Sequence, residues 1–192
     1  EVFKGYEEYE AVKDKIKIIN NVDETIAFIH SAIRNSQSAI DNIVLLASGD
    51  PTFFGIGRRA VREFGKDMIE IIPDLSCIQL AFSRIKESWD DAFLMSLHGG
   101  PDPEKRRRLP YTINDIPSLL QRYNKIAILT DKENNPTKIA KTLNFLLPTS
   151  HFPLLIYVCE RLGYPDEKIT LGTPNEITEM SFSEPNVVII QK

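Results

Sequence analysis

The residues with the most chemical potential in this chain are Ser48, Gly49, Asp50 and Pro51, which follow the apolar run Leu45-Leu46-Ala47 and precede Thr52, Phe53, Phe54 and Gly55. A tight polar turn leaving the carboxyl end of a buried strand is where open α/β sheets hold their ligands. Gly49 permits close backbone approach, Asp50 offers an acceptor, and Pro51 suits the first turn of a helix, beyond which free N–H groups point outward. The turn is neither a Walker loop nor a dinucleotide turn, because it lacks both Gly-Lys-Ser/Thr and Gly-x-Gly-x-x-Gly. Its plain structural alternative is a strand-ending turn.

Three further turns follow expected strands: Pro73-Asp74-Leu75-Ser76-Cys77, Ser96-Leu97-His98-Gly99-Gly100, and Thr130-Asp131-Lys132-Glu133-Asn134-Asn135-Pro136. Together they offer hydroxyls and carboxylates for ribose and amino groups, helix N–H groups for a carboxylate, and glycines for clearance, which suits a nucleoside-like ligand. Ser76, Thr130 and Asn135 are equally suited to capping helices. The inventory of nucleophiles is poor. His30 reads as a packed helix residue and His151 as a loop residue, while His98 stands among glycines as a donor or proton shuttle. Cys77 sits where a helix start would depress its pKa, although a small core residue is the commoner role. A reaction that needs little acid–base help fits this set.

The elements that position these turns alternate. Strands are expected at 15–20, 43–47, 68–72 and 92–97. Helices are expected after Asn21, which is spaced from Glu24 as in a capping box and puts Ile26, Ile29 and Ile33 on one face, then at 52–64, stopped by Gly65, and at 76–86. Such alternation predicts βαβ units and a mainly parallel sheet. Residues 98–113 carry glycines, prolines and the run Lys105-Arg106-Arg107-Arg108, and read as a linker or long functional loop. A second half follows, with helix 114–123, strand 125–130, helix 136–147, strand 154–159, a capped turn at Thr173–Glu176 and strand 186–190. The expected fold class is thus α/β with two α/β domains: 1–97 with a mainly parallel sheet, and 114–192 with a mixed sheet. A ligand cleft is expected between them.

With 192 residues, 42% of them hydrophobic, the chain can bury a substantial core. A net charge of −4 argues against a broad nucleic-acid or anionic-membrane footprint. Cys77 and Cys159 form no Cys-x-x-Cys pair, so neither a disulfide framework nor a structural zinc is expected, and a reducing cytoplasm fits. No apolar run approaches the roughly 20 residues that a spanning helix needs.

The order of Ser48-Gly49-Asp50-Pro51, Pro73-Asp74-Leu75-Ser76-Cys77-Ile78-Gln79, Ser96-Leu97-His98-Gly99, Ile128-Leu129-Thr130-Asp131 with Asn135-Pro136, Cys159-Glu160-Arg161-Leu162-Gly163-Tyr164-Pro165-Asp166-Glu167 and Gly172-Thr173 resembles the tetrapyrrole (precorrin) methylase family. The likeness covers nearly the whole chain. Ser-Leu-His-Gly after Trp89-Asp90-Asp91, together with the Leu-Gly-Tyr-Pro-Asp-Glu segment, resembles the branch that methylates C5 of precorrin-7 or cobalt-precorrin-7. The resemblance implies a homodimeric S-adenosylmethionine-dependent methyltransferase of cobalamin biosynthesis with its cofactor in the interdomain cleft. It places cofactor contacts on Ser48, Gly49, Asp50, Phe53, Ser76, Cys77, Thr130 and Gly163. For methyl transfer of this kind, Asp50 reads as an electrostatic and orienting residue, and a proton lost later from the substrate is expected to leave through His98 or water.

Two departures from the pattern stand out. The family opens with a strand and a Gly-x-Gly-Pro-Gly loop, which the residues from Glu1 onward lack, so the chain is expected to be an incomplete view of the protein. Asp74 also stands where the family usually has Gly. The implied tetrapyrrole substrate carries many carboxylates, for which Arg58, Arg59, Arg62, Arg84, Lys86 and the run with Arg106, Arg107 and Arg108 are candidates; solvated faces are the alternative. Any cobalt arrives with the substrate, since no metal-ligand cluster is evident. A C15-methyltransferase partner or fused domain fits the same pathway. The competing expectations are another acceptor, whether a different corrin carbon, a diphthamide intermediate or RNA, and a non-catalytic nucleotide-binding module.

Overall fold

The computed structural model describes residues 13–19, 21–35, 42–99, 109–147 and 153–192. The chain divides into two compact units, Glu1–Ser76 and Cys77–Lys192. This places the division ahead of the helix and strand that the sequence pattern groups with the first half.

In the first unit, α1 (Val22–Asn35) begins where Asn21 Oδ1 accepts the backbone N–H groups of Asp23 (2.8 Å) and Glu24 (3.2 Å). Such acceptance satisfies donors that a helix start otherwise leaves free. Ile26 and Ile29 are buried, whereas Ile33, on the last turn, is exposed. The next helix, α2, spans Gly57–Phe64, so the expected start at Thr52 comes five residues early. Residues 50–56 instead coil around the carbonyl of Pro51, which accepts the Gly57 N–H at 2.8 Å. The segments expected as strands at 15–20, 43–47 and 68–72 make no ladder among the described residues. A strand exists through its neighbour's hydrogen bonds, and apolar composition alone does not supply one. Val44 and Ile72 are 78% and 79% exposed in consequence.

The second unit holds a five-stranded mixed sheet in the order β1-β2-β5-β3-β4. Its strands are β1 (Ala92–Ser96), β2 (Lys125–Leu129), β3 (Leu155–Glu160), β4 (Lys168–Gly172) and β5 (Asn186–Gln191). The helices α3 (Cys77–Ile85), α4 (Ile116–Arg122), α5 (Pro136–Leu146) and α6 (Pro174–Thr178) belong to the same unit. The β1–β2 pair is parallel, and the other pairs are antiparallel. Residues 92–96 therefore belong to the sheet of the second unit. Central β5 is buried from Asn186 through Ile190 because β2 and β3 flank it and both its faces are covered. The core joins Met95, Ile126, Ile128, Ile156, Val188 and Ile190 to Leu120, Ile139 and Leu143 of the helices. Strand β4, which alternation in the sequence did not reveal, is an edge strand with Ile169 and Leu171 exposed.

Local capping matches the residue types. Asn135 accepts the Lys138 N–H at 2.9 Å with Pro136 in the first turn of α5, and Thr173 and Glu176 cap α6 reciprocally.

Candidate functional site

The first and second turns meet through Gly49. Its φ of +66° lies in the left-handed region, and a Cβ there would stand 3.0 Å from the Leu75 carbonyl oxygen and 3.6 Å from the Ser76 Cα. Only glycine fills that position without strain. The turn beyond it is tight as well. A Cβ at Gly55 would lie 2.6 Å, and one at Gly57 2.7 Å, from the Pro51 carbonyl oxygen. These two glycines were not singled out from sequence, although their spacing of two just after Asp-Pro was the available signal.

Asp50 Oδ1 accepts both the Thr52 hydroxyl (2.6 Å) and the Thr52 N–H (2.8 Å). The Thr52 hydroxyl, followed by its N–H, holds the Asp50 carboxyl below the usual carboxylate range, so it is ionised at neutral pH. No hydrogen bond to Oδ2 is found among the described residues. Phe53 stacks edge-on against Phe54, whose φ is +54°, at 4.9 Å. Ser48 is exposed and Ser76 buried. Asp74 caps its own turn by accepting the Leu75 N–H at 2.7 Å. Burial pushes the Cys77 thiol upward in pKa, the reverse of what an activated thiolate at a helix start requires.

In the second unit, the loops after β1 and β2 are laced together at the carboxyl ends of this parallel pair. Asp131 Oδ2 accepts the Gly99 N–H at 2.9 Å, and Asn134 Nδ2 donates to the Leu97 carbonyl at 3.0 Å. Asp131 Oδ1 also takes the N–H groups of Glu133 (3.0 Å) and Asn134 (2.8 Å), which fixes the turn that carries Thr130. His98 is exposed on this platform, its N–H directed to Ser96 Oγ at 3.3 Å. The hydroxyl of Thr130 is engaged with Asn186, 2.7 Å from its carbonyl and 2.6 Å from Oδ1. The single proton of this hydroxyl is thus committed to Asn186, and only its acceptor lone pairs remain on the side chain.

Gly163 has a φ of +81° and donates its N–H to Glu167 Oε2 at 2.8 Å. Glu167 Oε1 is held in turn by Arg84 Nε of α3 at 2.6 Å. Arg84 and then the Gly163 N–H lower the Glu167 pKa. Arg161 closes the same loop by pairing with Asp166 at 2.6 Å and stacking over Tyr164 at 4.6 Å. Burial is the chief reason the Cys159 thiol is pushed up to about 12, so it is an inert core residue.

Several cations expected to face a substrate are already committed. Arg59 bridges Asp23 (3.3 Å) and Glu63 (2.9 Å), and Arg84 serves Glu167. His30 packs its ring 4.7 Å from Phe64, as a helix-face histidine should. Arg106, Arg107, Arg108 and His151 lie outside the described residues. Among the described residues, no group of His, Cys, Asp and Glu is arranged to hold a metal, and no helix is long and apolar enough to cross a membrane.

The profile of the family described as Tetrapyrrole (Corrin/Porphyrin) Methylases matches residues 5–178. A probable cobalt-precorrin-7 C(5)-methyltransferase from Methanocaldococcus jannaschii is 28% identical over 180 residues, 93% of this chain and 78% of that protein. A cobalt-precorrin-7 C(5)-methyltransferase from Salmonella typhimurium is 36% identical over 127 residues, 66% of this chain and 55% of that protein, so the chain spans about half of this relative's length. The crystal structure of a cobalamin-biosynthesis precorrin-6Y methylase from Archaeoglobus fulgidus superposes with a TM-score of 0.60 at 19% identity, covering 92% of this chain and 73% of that one. This last likeness bears on the fold.

Proposed function

The chain belongs to the tetrapyrrole (corrin/porphyrin) methylases, and on that premise we propose that it methylates C5 of precorrin-7 or cobalt-precorrin-7 in cobalamin biosynthesis, using S-adenosylmethionine. The observation that carries this beyond the family match is the Gly49 turn, built against Leu75 and Ser76 and presenting an ionised Asp50.

The residues fit the cofactor's chemistry. Its amino and ribose groups are donors and its sulfonium is cationic, while the turn is rich in acceptors and anionic. Ser48, Gly49, Asp50 and Phe53 hold it from the first turn, and Ser76 and Cys77 from the second, Cys77 as a packing contact. Thr130 and Gly163 complete the proposed set of contacts. When bound, the cofactor supplies an electrophilic methyl group. The protein's part is alignment, for which well-positioned reactions gain on the order of 7–11 kcal/mol without a strong base. Asp50 orients and does not attack. His98, exposed on its platform, takes the proton that the ring carbon's neighbourhood later sheds, or passes it to water. Arg106, Arg107 and Arg108 pair with substrate carboxylates. In this reading the protein works as a cytoplasmic homodimer, and any cobalt enters as part of the substrate.

The decisive experiment incubates full-length protein with methyl-labelled S-adenosylmethionine and cobalt-precorrin-7, precorrin-7, a diphthamide-pathway protein acceptor or RNA. Label on C5 of the corrinoid is the expected result. Label on another ring carbon, on protein or on RNA would reassign the acceptor, and cofactor binding with no transfer would favour a non-catalytic module.

A further inference from the structure

We propose that the groove between α5 and residues 180–184 docks the carboxylate arms of the substrate macrocycle, an inference that rests on the methyltransferase reading above. The groove has a volume of about 510 Å³ and is lined by Lys132, Lys138, Lys141, Met180, Phe182 and Glu184, among others. Its chemistry is two-sided. Three lysines stand against one glutamate in the lining, while Met180 and Phe182 offer apolar surface. A flat ring that carries carboxylates on flexible arms matches both features, with the ring on the apolar surface and the arms on the ammonium groups.

Arg59, Arg84, Lys125 and Arg161 are each paired with a carboxylate, whereas Lys132, Lys138 and Lys141 have no carboxylate at ion-pair distance among the described residues. Lys138 and Lys141 are three residues apart on α5 and therefore share a face.

The opposite wall is irregular in secondary structure yet firmly built. Thr137 Oγ1 donates to the Met180 carbonyl at 2.8 Å, and the Ser183 N–H donates to Oε1 of the buried Glu160 at 2.6 Å. Asn186 Nδ2 donates to the Ser183 carbonyl at 2.9 Å, and Arg161 reaches the Glu184 carbonyl at 3.3 Å. Phe182 packs on the core of the sheet. The wall is thus held in place before any ligand arrives, and pre-organisation of this kind lowers the ordering cost of binding. The groove also adjoins the loop after β2, in which Thr130 and Lys132 are two residues apart. That loop links it to the proposed cofactor contacts.

The test uses uroporphyrin, a stable porphyrin with a carboxylate on every arm, and follows its absorbance during titration into full-length protein and into a Lys132→Gln/Lys138→Gln/Lys141→Gln variant. Three exposed charge pairs together should weaken binding roughly tenfold at low salt, and the difference should shrink as salt screens them. Affinity for S-adenosylhomocysteine and the melting temperature should be unchanged. A Lys15→Gln/Lys66→Gln/Arg122→Gln variant removes the same charge elsewhere and should bind uroporphyrin like the parent.

Equal affinity of parent and groove variant across the salt range would overturn the proposal. So would an equal loss in the control variant, or a parent that binds no uroporphyrin at all. Methyl transfer to cobalt-precorrin-7, measured on the parent alone, reports separately on the function. Its absence would remove the methyltransferase reading while leaving the uroporphyrin titrations interpretable.

Discussion

Gly49 and Leu75 are in backbone contact: the side chain that Gly49 lacks would stand 3.0 Å from the Leu75 carbonyl oxygen. Two motifs separated by more than twenty residues are thereby fixed as one surface. Because the obstructing atom is backbone, no side-chain rotation relieves it.

Gly49→Ala is expected to lose about 1–2 kcal/mol of stability from the left-handed backbone alone, with the contact at Leu75 adding to it. S-adenosylhomocysteine affinity should fall further than stability does, since the turn itself is the proposed contact. Chemical denaturation and calorimetry on the same preparation check this. A destabilised variant with parental affinity would separate the turn from the ligand.

Asp50→Asn should weaken S-adenosylhomocysteine roughly tenfold, the scale of a hydrogen bond to a charged group. The pH dependence has a definite sign. Thr52 depresses the Asp50 pKa, so the charged acceptor is present above the ordinary carboxylate range and is lost only as pH falls through its lowered folded value. The parent's affinity should hold while pH falls through the ordinary range and drop below it, and the variant should show no such limb. An acid limb common to both proteins would place the titrating group elsewhere.

The second unit was the more legible in sequence because its elements carry their own punctuation. Asn135-Pro136 and Thr173-Pro174-Asn175-Glu176 announce helix starts through side chains that cap them, and the Val187–Ile190 run announces a strand buried on both faces. The first unit's apolar runs at 43–47 and 68–72 carry composition without partners. Composition cannot say whether a ladder forms. The turns that carry the candidate site were found because glycine and proline mark them, but the work of Gly55 and Gly57 around the Pro51 carbonyl was not. Nor was the commitment of Arg84 to Glu167, a contact across 83 residues that no local pattern encodes.

Glu167→Gln should loosen the loop that ends at Gly163. Arg84 is partly exposed, so the stability lost is expected to be no more than about 1 kcal/mol. Arg84 lowers the Glu167 pKa, and the contribution is therefore present above the unfolded value and lost as pH falls through the depressed folded one. Denaturation of parent and variant from neutral pH into acid should converge at the low end. A gap that persists at low pH would show that the carboxylate's charge is not what holds the loop.

Lys125 tests the opposite end of the sheet. It begins β2, it is buried, and its ammonium lies 3.0 Å from the Ser88 carbonyl and 3.2 Å from each of Glu87 and Asp91. Burial by itself lowers the Lys125 pKa, but the hydrogen bonds and charges of Glu87 and Asp91 outweigh it, and the net direction is upward. A raised folded pKa stabilises below the unfolded value, about 10.4, and that stability is lost as pH rises through the folded value. Lys125→Met keeps the apolar stem and removes the charge. It should cost about 1–2 kcal/mol at neutral pH, because Glu87 and Asp91 are partly exposed and water replaces part of what they lose. The deficit should narrow above pH 10. The β1 and β2 strands are parallel, and the Leu97, His98, Gly99 and Thr130–Asn135 loops leave their carboxyl ends, whereas Lys125 stands at the amino end. S-adenosylhomocysteine affinity should therefore match the parent's at temperatures where both are folded. A loss of affinity comparable to that of Gly49→Ala would mean that binding follows global stability, and would take from the Gly49 result its force as evidence for a local contact.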